Sequence, residues 1–117
     1  MRRDNDLIRA MLFKYEAEDD YVLFEPDGNA LPGEHEHRER FHLLLMMDAG
    51  LATKLSAGTF RLTSRGMDFL EAIREDTAWN KIKRGAAKVG DVGLNLLVDM
   101  AIASLKLELE KRVGLKF

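Results

Sequence analysis

The chain has 117 residues, of which 46% are hydrophobic and 32% charged, and its net charge at pH 7 is −2. This length predicts one domain with a core of its own, and the absence of cysteine excludes disulfides, thiolate zinc sites and cysteine nucleophiles. No signal peptide and no bilayer-spanning apolar run is recognisable, so we expect a cytoplasmic protein without membrane contact.

The first 25 residues predict a helix followed by a short strand. Asp4 or Asn5 can cap the helix. Its apolar positions recur at helical spacing and are Leu7, Ile8, Met11, Leu12 and Tyr15. Residues 21–25 favour a strand that ends at the turn signal PDGN. Residues 16–40 hold nine acids against two arginines, a net charge of −7, so the other residues sum to +5.

A second long helix is predicted from about His35 to Ala49, and Gly50 ends it as a C′ glycine. Five large apolar residues stand in a row at Leu43–Met47. Because a helix turns about 100° per residue, such a run covers the whole circumference, and one core cannot bury all of it. We therefore expect Leu44 and Met47 to contact a partner.

Residues 52–62 predict a β-hairpin, because both arms alternate apolar and polar residues around a turn at Ser56–Gly58. The residues expected to pin the hairpin to the helical core are Leu51, Leu55, Phe60 and Leu62. Lys54 and Arg61 are then expected to face outward. Thr63 caps the next helix. The residues expected to line one side of that helix are Met67, Leu70 and Ile73.

A basic helix capped by Asp76 or Thr77 follows and ends near Gly90. The residues that fall on its apolar side are Trp79, Ile82, Ala86 and Val89. Shared spacing on that side predicts that Trp79 anchors the helix to the core. The cations of its other side are Lys81, Arg84 and Lys88.

The last helix is predicted from about Val92 to Arg112, with Asp91 as its cap. Its polar stripe is narrow, so the helix has two apolar sides. One side is expected to pack internally, and the residues of the other are Leu96, Met100 and Leu107. Soluble monomers rarely expose large apolar patches, so this second side favours a homodimer or another protein partner.

The order of a helix, AGL, a hairpin ending in RLT and a helix beginning with SRG resembles winged-helix domains. In those domains the helix before GL is the recognition helix and the hairpin is the wing. The resemblance implies an α-rich α+β fold. Its winged-helix-like core would span residues 1–76, with the wing at 52–62. A C-terminal helical extension, residues 77–117, would pack as part of the same domain.

Three stretches also resemble a domain-of-unknown-function family common in phages, prophages and bacteria. They are MRRDNDLIRAML, the segment from His42 through DAGL, and RLTSRGMDFLEAIREDTAWNKIK. Members typically open M-K-R-D-x-D-L-I-R and later carry L-T-x-x-G-x-x-F-L-D-x-x-R-x-D-T-x-W-N-K. This resemblance implies a winged-helix-like scaffold in a prophage context, and it implies no activity.

The chain shows no signature of an enzyme: a Gly-rich phosphate loop, a nucleophile elbow and an HExxH motif are all absent. His35, Glu39 and His42 have a spacing compatible with a zinc site that lacks its fourth ligand. A core histidine satisfied by hydrogen bonds is the simpler interpretation of His42. We expect no enzymatic activity, no metal, no cofactor and no small-molecule substrate.

Two functional hypotheses remain. The first is a DNA-binding transcriptional regulator that places residues 35–49 in the major groove of double-stranded DNA. Its predicted contacts are Arg38, Arg40, Lys54, Arg61, Lys81, Arg84 and Lys88. The alternative is a protein–protein interaction module that uses Leu44, Met47 and the C-terminal helix. The scaffold favours DNA binding, whereas the apolar Leu44 and Met47 favour the alternative, since groove-reading helices present Arg, Lys, Asn or Gln.

Overall fold

The computed structural model describes residues 1–26, 33–90 and 92–114. These ranges contain five helices and three strands, in the order α1 (Asn5–Glu16), β1 (Leu23–Phe24), α2 (Glu34–Asp48), β2 (Ala52–Ser56), β3 (Thr59–Leu62), α3 (Ser64–Ile73), α4 (Asp76–Lys88) and α5 (Leu94–Val113). The predicted helix-rich fold with a small antiparallel sheet is confirmed. Of the helices described, none combines the length and the apolar character needed to cross a membrane.

The chain divides into two compact units, Met1–Met67 and Asp68–Phe117. The boundary between them lies inside α3, so this helix contributes to both units. The expected division at residue 76, with core and extension packed as one domain, stays a prediction.

The sheet belongs to the first unit, has the strand order β1-β3-β2 and is antiparallel throughout. Gly58 makes the hairpin turn with a φ of +81°, a conformation that glycine adopts without steric cost. A register shift between Lys54 and Ser56 interrupts the alternation of β2 just before this turn. Leu55 is consequently 43% exposed, and the prediction that it packs on the helical core is wrong.

The core of the first unit is built largely from one face of α1 and one face of α2. Its fully covered apolar residues include Ile8, Met11, Leu12, Leu43, Met46, Leu51 and Phe60. Full burial of each such side chain contributes roughly 1.5–3 kcal/mol to the free energy of folding. Because helical spacing brings these residues onto one face of each helix, their burial stabilises both helices. The run Leu43–Met47 is divided as expected: Leu44, on the other side of α2, is 46% exposed.

Hydrogen bonds close the path from α2 to α3. Gly50 follows α2 with a φ of +77°, and the Leu51 N–H donates to the carbonyl oxygen of Met46 at 2.8 Å. Thr63 caps α3, because its Oγ1 accepts from the N–H of Gly66 at 3.0 Å while its hydroxyl donates to the carbonyl of Gly50. The predicted roles of Gly50 and Thr63 are therefore confirmed.

The buried residues of the second unit follow the apolar sides of its helices. Trp79 is 3% exposed, and its ring meets Phe69 edge-on with the centroids 6.4 Å apart. The residues buried on α5 are Leu94, Leu97, Val98 and Ala101. Trp79 is thus a core residue, as its spacing predicted. Val89, expected on the same side, is exposed because α4 ends one residue before it. Met67, at the end of the first unit, is exposed as well.

The helix starts in the second unit differ from the prediction. Glu75 is the N-cap of α4 and makes no side-chain capping bond, so neither Asp76 nor Thr77 caps this helix. Gly93 is the N-cap of α5. The predicted cap Asp91 lies outside the described residues.

Gly66 and Gly85 form a matched pair for testing the packing of the helices. A Cβ on Gly66 would collide with the backbone carbonyl of Leu51, whereas one on Gly85 would meet only the Met100 methyl at 3.8 Å. We expect Gly66→Ala to lower the free energy of unfolding by about 3 kcal/mol. Gly85→Ala should raise it by roughly 0.5–1 kcal/mol, because alanine restricts the unfolded chain and favours the helix. Urea unfolding measures both values, and equal effects of the two substitutions would contradict this packing.

Candidate nucleic-acid interface

The N-terminus of α1 is fixed to α2 by His42, which is completely buried. Its Nε2 accepts a hydrogen bond from the Asp4 N–H at 2.9 Å, and its Nδ1 donates to the carbonyl oxygen of Arg38 at 2.9 Å. Because a backbone N–H only donates, His42 must be the neutral tautomer that carries its proton on Nδ1. Both ring nitrogens are therefore engaged, which confirms the interpretation of His42 as a satisfied core histidine.

A second polar contact joins α1 to α2 at Glu39, whose side chain is 10% exposed. Lys14 Nζ lies 3.0 and 3.2 Å from the two carboxylate oxygens, and the Tyr15 hydroxyl donates to Oε2 at 2.8 Å. The Tyr15 ring packs edge-on against Phe60, with the centroids 5.0 Å apart. Burial raises the pKa of Tyr15, and the hydrogen bond to Glu39 and the charge of its carboxylate raise it further.

The three residues grouped by their spacing as possible zinc ligands do not converge. His35 Nε2 lies 4.0 Å from Glu39 Oε1, while the nitrogens of His42 are bonded to backbone groups. Within the described ranges no group of three or more His, Cys, Asp and Glu residues could hold a metal ion. Glu39 instead serves as the partner of a lysine and a tyrosine.

The predicted DNA-contacting cations of α2 and the hairpin lie beside carboxylates. Arg38 Nη2 donates to Asp4 Oδ2 at 2.8 Å. Glu25, whose side chain is only 8% exposed, has its two carboxylate oxygens 3.7 Å from Arg40 and 3.5 Å from Lys54. Asp4 thus offsets the charge of Arg38, whereas Arg40 and Lys54 share the single charge of Glu25.

Asp4 combines two roles in the first unit. Its Oδ1 accepts from the N–H groups of Asp6 and Leu7 at 3.0 and 3.2 Å, which caps α1. Burial raises the pKa of Asp4, but the hydrogen bonds from Leu7, Arg38 and Asp6 and the charge of Arg38 outweigh it, so the pKa lies below its ordinary value. The carboxylate is therefore ionised, and its negative charge compensates the positive charge of Arg38.

Three basic residues of α4, unlike the arginines of α2 and the lysine of the hairpin, lie beside no described carboxylate. Lys81, Arg84 and Lys88 are exposed, and their spacing of three and four residues places them on one side of the helix. In the parts of the chain that the structure describes, the side chain of none of the three has an ion pair or a hydrogen-bond partner. Asn80 is exposed beside them. Arg61, the last predicted contact, is exposed on β3 and donates to the carbonyl oxygen of Leu62 at 3.1 Å.

The predicted interface residues are exposed to different degrees. Leu96 and Leu107 are 51% and 57% exposed, comparable with Leu44 on α2. Met47 and Met100 are half-buried, and the Met100 methyl lies over Gly85 of α4. Leu96 and Leu107 therefore present an apolar side of α5 to solvent.

The sequence suggested Glu39 only as a possible zinc ligand and Glu25 not at all, whereas the structure makes both carboxylates the partners of cations in the first unit. The burial of Glu39 had a signal: it shares one helical face with the buried His42, Leu43 and Met46. The groove beside it has a volume of about 500 Å³ and is bordered by Glu18, Asp19, Asp20 and Glu36. An acidic border of this kind repels a polyanion such as a nucleic acid.

The raised pKa of Tyr15 predicts a loss of stability in alkali. The unfolded tyrosine ionises near pH 10, whereas the folded one stays neutral, so the contribution is complete below pH ~10 and declines above it. We expect the free energy of unfolding to fall by about 1.4 kcal/mol per pH unit from this residue. Tyr15→Phe should abolish this component in urea unfolding, and Tyr21→Phe, at the exposed tyrosine, should keep it. An unchanged slope in Tyr15→Phe would contradict the assignment.

Comparisons with known proteins place these features in a family. The family model described as "Hypothetical protein (DUF2513)" matches residues 2–92. A Haemophilus influenzae protein, described as "Uncharacterized protein", is 32% identical over 95 residues, which cover 71% of this chain and 76% of that protein. No solved structure gives a significant match. The matched region contains α1 through α4 and the whole sheet, and the chain belongs to the DUF2513 family.

Proposed function

We propose that this protein is a non-enzymatic DNA-binding regulator of the phage and prophage type, and that the solvent side of α4 is its main contact with duplex DNA. The observation that carries the proposal is the group Lys81, Arg84 and Lys88, exposed together without a carboxylate partner among the described residues. Cations in this state release the counterions of DNA without first breaking an ion pair. Asn80 beside them adds a group suited to base edges.

The proposal moves the main contact away from α2. Residues on the outer side of α2 include Glu34, His37, Phe41, Leu44 and Asp48. Acidic and apolar side chains of this kind match neither phosphates nor base edges. In this proposal Arg38, Arg40, Lys54 and Arg61 are secondary contacts.

The proposal includes a winged-helix-like scaffold, in which α2 takes the place of the recognition helix and β2–β3 that of the wing. Its support is the order of the elements, with the hairpin directly after α2 and α3 directly after the hairpin. Exposed Arg61 on the hairpin suits a wing that lies along a phosphate backbone, and Lys54, which also lies beside Glu25, would be a weaker contact. The proposal includes a cytoplasmic location, because that is where bacterial and prophage DNA lies.

Protein binding through α2 is a second candidate function. Leu44 is 46% exposed in the middle of this helix, and the neighbouring Phe41, Leu45 and Met47 are half-buried. A partially exposed apolar strip along a helix suits a protein partner better than DNA. The two functions are separable, because they use different helices.

The DNA proposal predicts a specific loss in the triple variant Lys81→Ala, Arg84→Ala, Lys88→Ala. We expect wild type to bind a random-sequence duplex at about 50 mM salt, with an affinity that falls steeply as salt rises. The triple variant should bind at least about tenfold more weakly, and the slope of log K against log salt should fall by about three. Fluorescence anisotropy of a labelled duplex measures both quantities.

The matched control is Arg2→Ala, Lys111→Ala, Arg112→Ala, which removes the same charge at exposed residues of the N-terminus and α5. This control should keep most of the binding, because its cations lie on other elements. Leu44→Gln should leave DNA binding unchanged and would weaken only a protein complex. No duplex binding by wild type at low salt, or equal losses in the two triple variants, would refute the proposal.

A further inference from the structure

One side of α5 carries a largely exposed apolar stripe with the spacing of a coiled-coil seam. Leu96, Met100, Ala103 and Leu107 follow one another at intervals of four, three and four residues, which aligns them along one line of a helix. Leu96, Ala103 and Leu107 are exposed and Met100 is half-buried. The buried Leu94, Val98 and Ala101 lie on the opposite side of α5, and the buried Leu97 borders the stripe beside Met100.

We propose that the occupant of this stripe is α5 of a second copy of the chain, packed antiparallel about a two-fold axis. Antiparallel packing places Leu96 opposite Leu107 of the second copy and Met100 opposite Ala103 of the second copy. A larger side chain then lies opposite each alanine, although the Met100 methyl itself stays over Gly85 of its own α4. Parallel packing would instead place alanine opposite alanine and leave a void at the centre of the seam.

The charges along the stripe favour the same orientation. Asp99 and Lys106 are exposed on one edge of the stripe, seven residues apart. In the antiparallel pair, Asp99 of each copy lies opposite Lys106 of the other, so the two-fold axis generates two pairs of opposite charge. In a parallel pair, Lys106 would lie opposite Lys111 of the other copy, which is a repulsive contact.

The size of the stripe sets the expected affinity. From Leu96 to Leu107 the helix rises about 17 Å, so a two-helix contact of this length buries less than the roughly 1,200 Å² that stable complexes exceed. We therefore expect a weak dimer with a dissociation constant on the order of 10–100 μM. This inference is independent of the proposed DNA binding, because its residues lie on α5 and not on α4.

Sedimentation equilibrium of the full chain over a range of concentrations tests the seam. Wild type should show a monomer–dimer equilibrium, and Leu96→Glu should weaken association by about tenfold or more, since it buries a charge at the contact. The matched control is Leu109→Glu, the same substitution at an exposed leucine outside the stripe, and it should leave association unchanged. A wild type that stays monomeric throughout, or a control as disruptive as Leu96→Glu, would overturn the proposal.

Charge reversal tests the orientation. Asp99→Lys alone and Lys106→Asp alone each create like-charge pairs in the antiparallel dimer, and both should weaken it at low salt. The double variant re-creates two pairs of opposite charge and should restore association. If the single variants have no effect, or if the double variant is weaker than either of them, the antiparallel register is wrong.

Because the chain has no native cysteine, disulfide trapping gives a second measure of orientation. Leu96→Cys and Leu107→Cys are prepared as separate proteins, mixed and mildly oxidised. Antiparallel packing predicts the mixed disulfide between the two variants as the main product. A predominance of the disulfides that each variant forms with itself would indicate parallel packing and would overturn the proposal.

Discussion

The placement of α1 against α2 depends on the two hydrogen bonds of His42. The imidazole accepts from the Asp4 N–H and donates to the Arg38 carbonyl, and the Asp4 carboxylate in turn binds the Arg38 guanidinium. The three residues form a closed ring in which each is satisfied by the other two. Loss of the His42 ring would leave the part-buried Asp4 N–H without this acceptor, which costs more than the hydrogen bond itself contributes.

Glu39 repeats this device at the other end of α1. It lies one helical turn before His42 on α2, yet it binds Lys14 and Tyr15, near the C-terminus of α1. Contacts near both ends of α1 fix its distance from α2 and its rotation about its own axis. The rotation decides which side chains of α1 face the core. The T-shaped contact between Tyr15 and Phe60 extends the same constraint to the sheet. The Lys14 ammonium and the Tyr15 hydroxyl offset the desolvation of this buried carboxylate.

Local rules predicted most of the fold and little of the polar network. Helices and hairpin depend on periodicity and on turn residues such as Gly50, Gly58 and Thr63, which the chain displays within a few positions. The ion pair of Arg38 joins residues 34 positions apart, and that of Lys14 joins residues 25 apart. No local pattern specifies such pairs. The predicted burial of Leu55 was wrong for a related reason, because a register shift depends on how two strands pair and not on the sequence of one strand.

The cations that sequence reasoning grouped as one DNA-binding set therefore belong to two physical classes. Arg40 and Lys54 compensate the nearly buried Glu25, so moving them to a phosphate would leave that carboxylate desolvated and close to another anion. When Lys81, Arg84 and Lys88 bind a phosphate, they exchange only water for it, because no described carboxylate pairs with them. Cations of equal formal charge thus differ in the free energy that binding a polyanion costs them. The first unit uses its cations to hold its own acidic residues in place, whereas α4 leaves three cations on one solvent-exposed side.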